Sequence, residues 1–389
     1  MKIDSRDSST QRRLSGNKKE KVNMKELQTL KTDLYKTRIV SKQLGDDIGE
    51  NEVLVKIEKF SFTANNVTYG VAGDAIGYWQ FFPPTEDPNN EWGCIPIWGF
   101  AEVLYSNNDD IKYGERIFGY FPPANNLIVS PIKISSQSFM DGKEHRKKLP
   151  PVYNNYVRLN GEENYDSSMD NIRALLFPLH ITAFCLCDAL EEQAYEGASQ
   201  VIIISASSKT AIGLEQGLAD KEDTPKLVGL TSANNTYFLE ELGCYDEVIS
   251  YEQLEKINNH DLSVMVDMSG NQEILTSIQE SLGDNMVKCL TVGMTHWNKG
   301  VTAEDALAQA EIDHRTEFFF APAHIQKRNN DWGTEGYNKR TSTFMSKRAE
   351  QSREWMQIKE IYGLDKFIQT YQKIVSGDIK PNEGIIVLP

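Results

Sequence analysis

The chain has 389 residues, with 41 basic against 56 acidic side chains and a formal net charge of −15. At roughly 150 residues per domain that length predicts two or three domains. The acidic balance excludes a nucleic-acid binder, which needs clustered Lys and Arg, and with no run near roughly 18 consecutive apolar residues no membrane span is expected.

Residues 1–30 are expected to form a disordered tail. Ile3 and Leu14 are the only large apolar residues before Val22, too few to offset the entropy of ordering the segment. Asp4, Asp7 and Glu20 argue against a transit peptide, and Met24 offers an alternative start. Residues 31–171 read as mostly β. Glu52-Val53-Leu54-Val55-Lys56-Ile57-Glu58 alternates polar and apolar, as a half-buried strand does. Further strands are expected at Ile97 to Tyr105 and after the turn at Gly114.

The pattern changes near residue 172. Ile172 to Leu190 is apolar at helical spacing. Gln200-Val201-Ile202-Ile203-Ile204 then reads as a strand buried on both faces. Helices at 210–218, 235–242 and 272–282 alternate with strands at 226–230, 246–249, 263–267 and 287–292. That order predicts an open, doubly wound parallel sheet over residues 172–320. Residues 321–389 form a closing segment. Within it 342–375 is expected to be largely helical, marked by Phe344, Trp355, Ile358, Ile361, Tyr362 and Phe367. Ile385-Ile386-Val387-Leu388 is expected to be a final strand. Five cysteines without framework spacing fit a reducing compartment, so a cytoplasmic location is expected.

Several segments, in order, resemble landmarks of the medium-chain dehydrogenase/reductase superfamily. Asn51 to Ile57 resembles an early strand of its GroES-like domain. Lys112-Tyr113-Gly114-Glu115-Arg116-Ile117 resembles its Pro-Gly-Asp-Arg-Val turn. Tyr195 to Ile203 resembles the entry to its first Rossmann strand. Leu242 to Ile249 and Val266-Asp267-Met268-Ser269-Gly270 resemble later landmarks. Within the superfamily the chain resembles the uncharacterised domain of unknown function 2855, through Ser205 to Ala211 and the stretch from Asn65 to Pro83. The resemblance implies an α/β protein with a GroES-like, mostly-β domain and a Rossmann doubly wound sheet. It also implies a closing segment that returns to the β domain, and a homodimer.

The first strand-to-helix turn of that superfamily binds the pyrophosphate of a dinucleotide, and glycines let the backbone approach it. Here Ser205, Ser208 and Ala211 stand at the motif positions, and no glycine appears before Gly213. Ser205, Ser207, Ser208 and Thr210 offer hydroxyls, and Lys209 offers a cation. The run reads either as a modified dinucleotide site or as a capped helix. The second strand is followed by Thr231, Ser232 and Asn235 with no acid to bond a ribose. That favours NADP(H) over NAD. The zinc-binding Gly-His-Glu of relatives is replaced at Trp98-Gly99-Phe100, and Cys94, Cys185, Cys187, Cys244 and Cys289 are dispersed. No zinc site is expected.

The resemblance therefore implies the zinc-independent quinone and enoyl reductases, which add hydride to an activated C=C, carbonyl or quinone. The alternative is a catalytically silent binding protein with a degenerate turn. Asn65-Asn66-Val67-Thr68-Tyr69 resembles the active-site segment of that branch, with Asn65 and Tyr69 as its polar groups. Tyr69 reads equally as a packing tyrosine. Tyr78, Trp79, Phe81 and Phe82 form either a wall for a small-molecule substrate or a hydrophobic lid or dimer contact. His180, at the start of a helix bordering the cleft, and His324 near it read either as catalytic or as core histidines. Lys327, Arg328, Lys339, Arg340, Lys347, Arg348 and Arg353 either gather an anion or line a solvated helix face.

Overall fold

The computed structural model describes residues 22–44, 48–292 and 314–389. Most of the expected tail lies outside the described residues. Its last part is not tail: Asn23–Leu30 is a strand paired antiparallel with Asp33–Gln43. Its polarity misleads because its buried polar groups have partners. The Glu26 carboxylate accepts from the Thr85 N–H at 2.6 Å, and Thr29 Oγ1 meets the Tyr371 hydroxyl at 3.2 Å.

The β domain is built on Val53–Ser61, which pairs antiparallel with Ile97–Ser106. Val55 and Ile57 are buried and Lys56 between them is exposed, as the alternation predicts, whereas Val53, Leu54 and Val55 are buried in succession. Arg116–Phe121 continues the sheet beyond Ile97–Ser106. On the other side lies the chain's end: Glu383–Leu388 pairs antiparallel with Val53–Ser61, placing Val387 opposite Phe60. The closing segment thus returns to the β domain. Its expected helix is interrupted by the strand Gln357–Tyr362, which pairs parallel with Glu383–Leu388. Ile358 and Ile361, three apart, imitate a helical face. The strand lies at the edge of the sheet, and hydrogen bonding to its neighbour overrides local spacing.

The second domain is a parallel sheet. Its strand order is Glu247–Ser250, Lys226–Thr231, Gln200–Ile204, Ser263–Asp267, Met286–Thr291, Thr316–Phe318. The chain leaves Gln200–Ile204 in one direction and returns on its other side at Ser263–Asp267. That reversal is the switch point at which open α/β sheets bind ligands.

The helix Asp170–Glu192 joins the domains. Ile172, Leu175, Leu176 and Leu179 belong to the core of the β domain, whereas Ala183, Phe184, Leu186 and Leu190 belong to that of the parallel sheet. The boundary expected at 171/172 therefore runs through one helix. With its leading turn this helix is long and apolar enough to cross a membrane by length and composition alone, although polar residues break its apolar run. Of its most apolar window, 67% is buried inside the fold.

Pro178 sits inside this helix. It has no N–H, so the Ala174 carbonyl four residues back lacks its helical donor. The Ser61 hydroxyl supplies one at 2.6 Å. Ser61→Ala should cost about 1–3 kcal/mol, the penalty of an unsatisfied buried acceptor, read as a lower urea midpoint. In a Pro178→Ala background the helix restores its own bond, and the same substitution should cost far less. Equal losses in both backgrounds would refute this pairing.

Candidate active-site cleft

A cleft lies between the two domains. On one side are Val292, which follows the strand Met286–Thr291, and Phe318 to Phe320 at the end of the sixth strand. On the other are Asn65, Thr68 and Tyr69 from the helix Ala64–Val71. This short helix is anchored by the neighbouring Asn66. That side chain accepts from the Thr63 N–H and donates to the Pro96 carbonyl, both at 2.8 Å. With Asn66 turned inward, Asn65 is left facing the cleft.

Tyr69 is buried, and its ring packs 4.6 Å from that of Tyr78. Burial, reinforced by Tyr153, pushes its pKa well above the ordinary tyrosine value. The Trp98 and Asn65 side chains beside the hydroxyl oppose that shift without cancelling it. The hydroxyl thus holds its proton at any ordinary pH. Tyr78 also lines the cleft, and its hydroxyl meets that of Tyr153 at 3.1 Å. Asn65, Tyr69 and Tyr78 are therefore brought together in the cleft lining.

The other expected wall residues are not. Trp79 fills a core slot between two glycines: a Cβ at Gly73 would lie 2.0 Å from its indole nitrogen, and one at Gly93 2.3 Å from its ring. Phe81 and Phe82 lie 5.7 and 4.8 Å from the buried guanidinium of Arg146. These three aromatics are core, neither substrate wall nor lid. His180 lies in the middle of the long helix, not at its start. Phe177, Pro178, Ile181 and Thr182 turn one face of that helix to the cleft, and His180 falls outside it. It packs against Gly213. Burial, then the nearby Arg348 charge, lowers its pKa to about 3, so it is neutral. His324 bonds Asp188 at 2.6 Å instead of entering the cleft.

The sequence reading missed Trp98, Tyr153 and Phe177 as lining residues. The run Phe318-Phe319-Phe320 was legible as three consecutive aromatics, but only the sheet shows that it ends a strand beside the cleft.

The turn after Gln200–Ile204 keeps part of the expected form. Ser205 adopts φ +62°, a left-handed conformation that glycine takes more readily. Its N–H donates to the Tyr251 hydroxyl at 3.0 Å. The helix Lys209–Ala219 begins next, capped by Ser208, whose Oγ accepts from the Ala211 N–H at 3.3 Å. Ser207 Oγ meets Thr231 Oγ1 at 3.0 Å and accepts from Asn235 Nδ2 at 3.1 Å. These three are engaged with one another. Lys209 donates to the Pro381 carbonyl at 2.9 Å, which ties the turn to the closing segment. Burial lowers its pKa to about 8, against the pull of Glu383. Thr210 is half-buried in the first turn of this helix, and Ser232 precedes Ala233–Leu242 without capping it through its side chain.

The basic residues of the closing segment are largely paired. Arg328 contacts Asp188, Glu192 and Asp331, and Lys347 and Arg348 share Asp220. Among the described residues no three His, Cys, Asp or Glu side chains group as a metal site.

Solved structures share this fold across nearly the whole chain. CurA from Vibrio vulnificus, solved with NADPH, is 12% identical with a TM-score of 0.57, over 90% of this chain and 94% of that one. The quinone oxidoreductase from Coxiella burnetii is 15% identical with a TM-score of 0.56, over 95% of this chain and 100% of that one. A mutant form of enoyl thioester reductase from Candida tropicalis is 12% identical with a TM-score of 0.54, again over 95% and 100%. No curated protein matches the sequence. At such identities the likeness establishes the fold, a GroES-like domain joined to a Rossmann sheet, as in the medium-chain dehydrogenase/reductase superfamily. The family described as "Protein of unknown function (DUF2855)" matches residues 60–380, and the chain belongs to it.

Proposed function

We propose that the chain is an NADPH-dependent, zinc-independent reductase of an activated C=C, carbonyl or quinone. One observation carries the reading. A protonated tyrosine, Tyr69, faces a cleft walled by aromatic side chains at the carboxyl ends of the parallel strands. Bound there, a nicotinamide would supply hydride. The chain's own groups then have distinct tasks. The Tyr69 hydroxyl donates a hydrogen bond, and then a proton, to the substrate oxygen or carbon that becomes negative. Asn65 orients that hydroxyl. Phe177 and Phe318 to Phe320 exclude water. Ser205, the free N–H groups at Lys209 and Thr210, and the ammonium of Lys209 would hold the pyrophosphate. Ser232 would meet the 2′-phosphate, with Asn235 and Thr231 behind it. The left-handed turn and the open start of an 11-residue helix fit that role. The proposal includes a homodimer paired along the outermost strand Thr316–Phe318, and a cytoplasmic location.

A second reading, a silent binding protein, is favoured by the contact of Lys209 with Pro381 and by the Ser207–Thr231 pair. Fluorescence titration with NADPH and NADH separates the two. Lys209 is charged below about pH 8 and loses its proton above. NADPH affinity should therefore hold up to about pH 8 and fall beyond it. Lys209→Ala should weaken binding by about tenfold and abolish that pH dependence. Binding that Lys209→Ala leaves unchanged would make Lys209 an interdomain tie alone. No binding of either cofactor would put the silent reading first.

A further inference from the structure

A tyrosine hydroxyl carries one proton and can turn it to suit its neighbours. For Tyr69 to act as a donor, that proton has to face the cleft. Trp98, from the strand Ile97–Ser106, limits the choice. Its ring stacks on Phe118 at 5.7 Å and 26°, and it packs 4.9 Å from Phe177 and 5.1 Å from Tyr120. The Tyr69 ring lies 5.8 Å from the same Tyr120. Held on several sides, the indole has little room to turn. Its nitrogen is buried, and the group beside it is the Tyr69 hydroxyl; among the described residues no other group partners it.

An indole N–H donates and never accepts. Against it the Tyr69 oxygen can only accept, so the phenol proton turns away. On that other side are the Asn65 amide, whose oxygen can accept, and the cleft. The same N–H has a second effect. When Tyr69 gives up its proton, a negative oxygen is left, and among the described residues no charged side chain lines the cleft to balance it. Hydrogen bonds to a charged oxygen are stronger than those to a neutral one. The indole N–H therefore stabilises the phenolate more than the phenol.

We propose that Trp98 is a positioning residue: its Nε1–H, held against the Tyr69 oxygen, turns the phenol proton toward the cleft and supports the phenolate when that proton leaves. The O–H bond of Tyr69 breaks, its electron pair stays on the oxygen, and the proton joins the substrate atom that hydride addition has made negative. A proton from solvent later restores the phenol. The effect on turnover rests on the reductase reading, but the contact itself does not.

Two readouts test this. The first is the NMR spectrum of the full chain without nicotinamide cofactor, with ¹⁵N in the indoles of its six tryptophans. The Trp98 signal is the one lost in Trp98→Phe. Tyr69→Phe keeps the ring and removes the hydroxyl, so it should move the Trp98 signal upfield, as an N–H that has lost its acceptor. Tyr78→Phe removes another hydroxyl from the cleft and should leave that signal in place. A Trp98 signal that ignores Tyr69→Phe, or moves equally in Tyr78→Phe, overturns the proposal. The second readout is turnover. Trp98→Phe should lower kcat about tenfold, the loss of one hydrogen bond to a charged oxygen. KM should hold, because Phe keeps an aromatic face toward the cleft and the buried nitrogen touches no ligand. In a Tyr69→Phe background the same substitution should cost less than about twofold. A merely structural role would lower kcat equally in both backgrounds, and that result overturns the proposal. Should Trp98→Phe not fold, benzothienylalanine at position 98 keeps the ring and replaces the N–H with sulfur. If NADPH does not bind, the reductase reading falls, and the indole signal alone decides whether Trp98 holds the Tyr69 oxygen.

Discussion

Tyr69→Phe should lower turnover of a conjugated carbonyl substrate by roughly 10²- to 10³-fold, the range for losing a proton donor or an oxyanion donor. The expected change lies in kcat, with NADPH affinity unaltered, because the phosphate turn lies on the other domain. Phe keeps the ring contacts with Tyr78 at 4.6 Å and Tyr120 at 5.8 Å, so the packing should survive. The pH profile offers a second check. Burial raises the Tyr69 pKa well above its ordinary value, so its proton is not lost as pH rises to 10. The wild-type rate should show no alkaline loss attributable to this group. Asn65→Ala should cost less than Tyr69→Phe, because Asn65 touches the hydroxyl but leaves its proton in place. A Tyr69→Phe variant that turns over at the wild-type rate would remove Tyr69 from the chemistry.

The parts of this fold that could be read in advance are those with one dominant cause. The strand Gln200–Ile204 is buried at every position, and a β-branched run states that directly. The strand Ser263–Asp267 and the helix Gln272–Leu282 fall where composition and spacing put them. Misreadings arose where two causes compete. Gln357–Tyr362 has helical spacing but a strand partner. Asn23–Leu30 is polar but internally satisfied. In the aromatic run from Tyr78 to Phe82, sequence shows four rings and not their destinations. Those depend on gaps left by Gly73 and Gly93 and on a distant cation, Arg146, none of which lies within the run. Trp98 looks like core on its own strand, and its place in the cleft lining is visible only once its neighbours are in position.

Arg146 links that aromatic run to the cleft, and Arg146→Met should cost about 3–5 kcal/mol of stability. The guanidinium is 1% exposed and bonds Asp141 at 2.8 Å, Asn154 Oδ1 at 2.8 Å, the Tyr153 carbonyl at 2.8 Å and the Tyr156 hydroxyl at 3.1 Å. Met fills most of the stem's volume, so the loss comes chiefly from the buried carboxylate left without its cation. Asp141 still accepts from the Ser130 and Lys143 N–H groups at 3.0 and 3.1 Å. An amide can accept those same bonds. Asp141→Asn combined with Arg146→Met should therefore cost clearly less than the two single substitutions summed. Urea unfolding of the four proteins measures this, and strict additivity would show that the pair is not coupled. The substitution should also reach the site. Without Arg146 the Tyr153 carbonyl loses its donor, and the Tyr153 hydroxyl is the partner of Tyr78 in the cleft. At a temperature where the variant remains folded, turnover of a conjugated carbonyl substrate should still fall. The buried cation thus acts on the cleft through tyrosines, without touching what binds there.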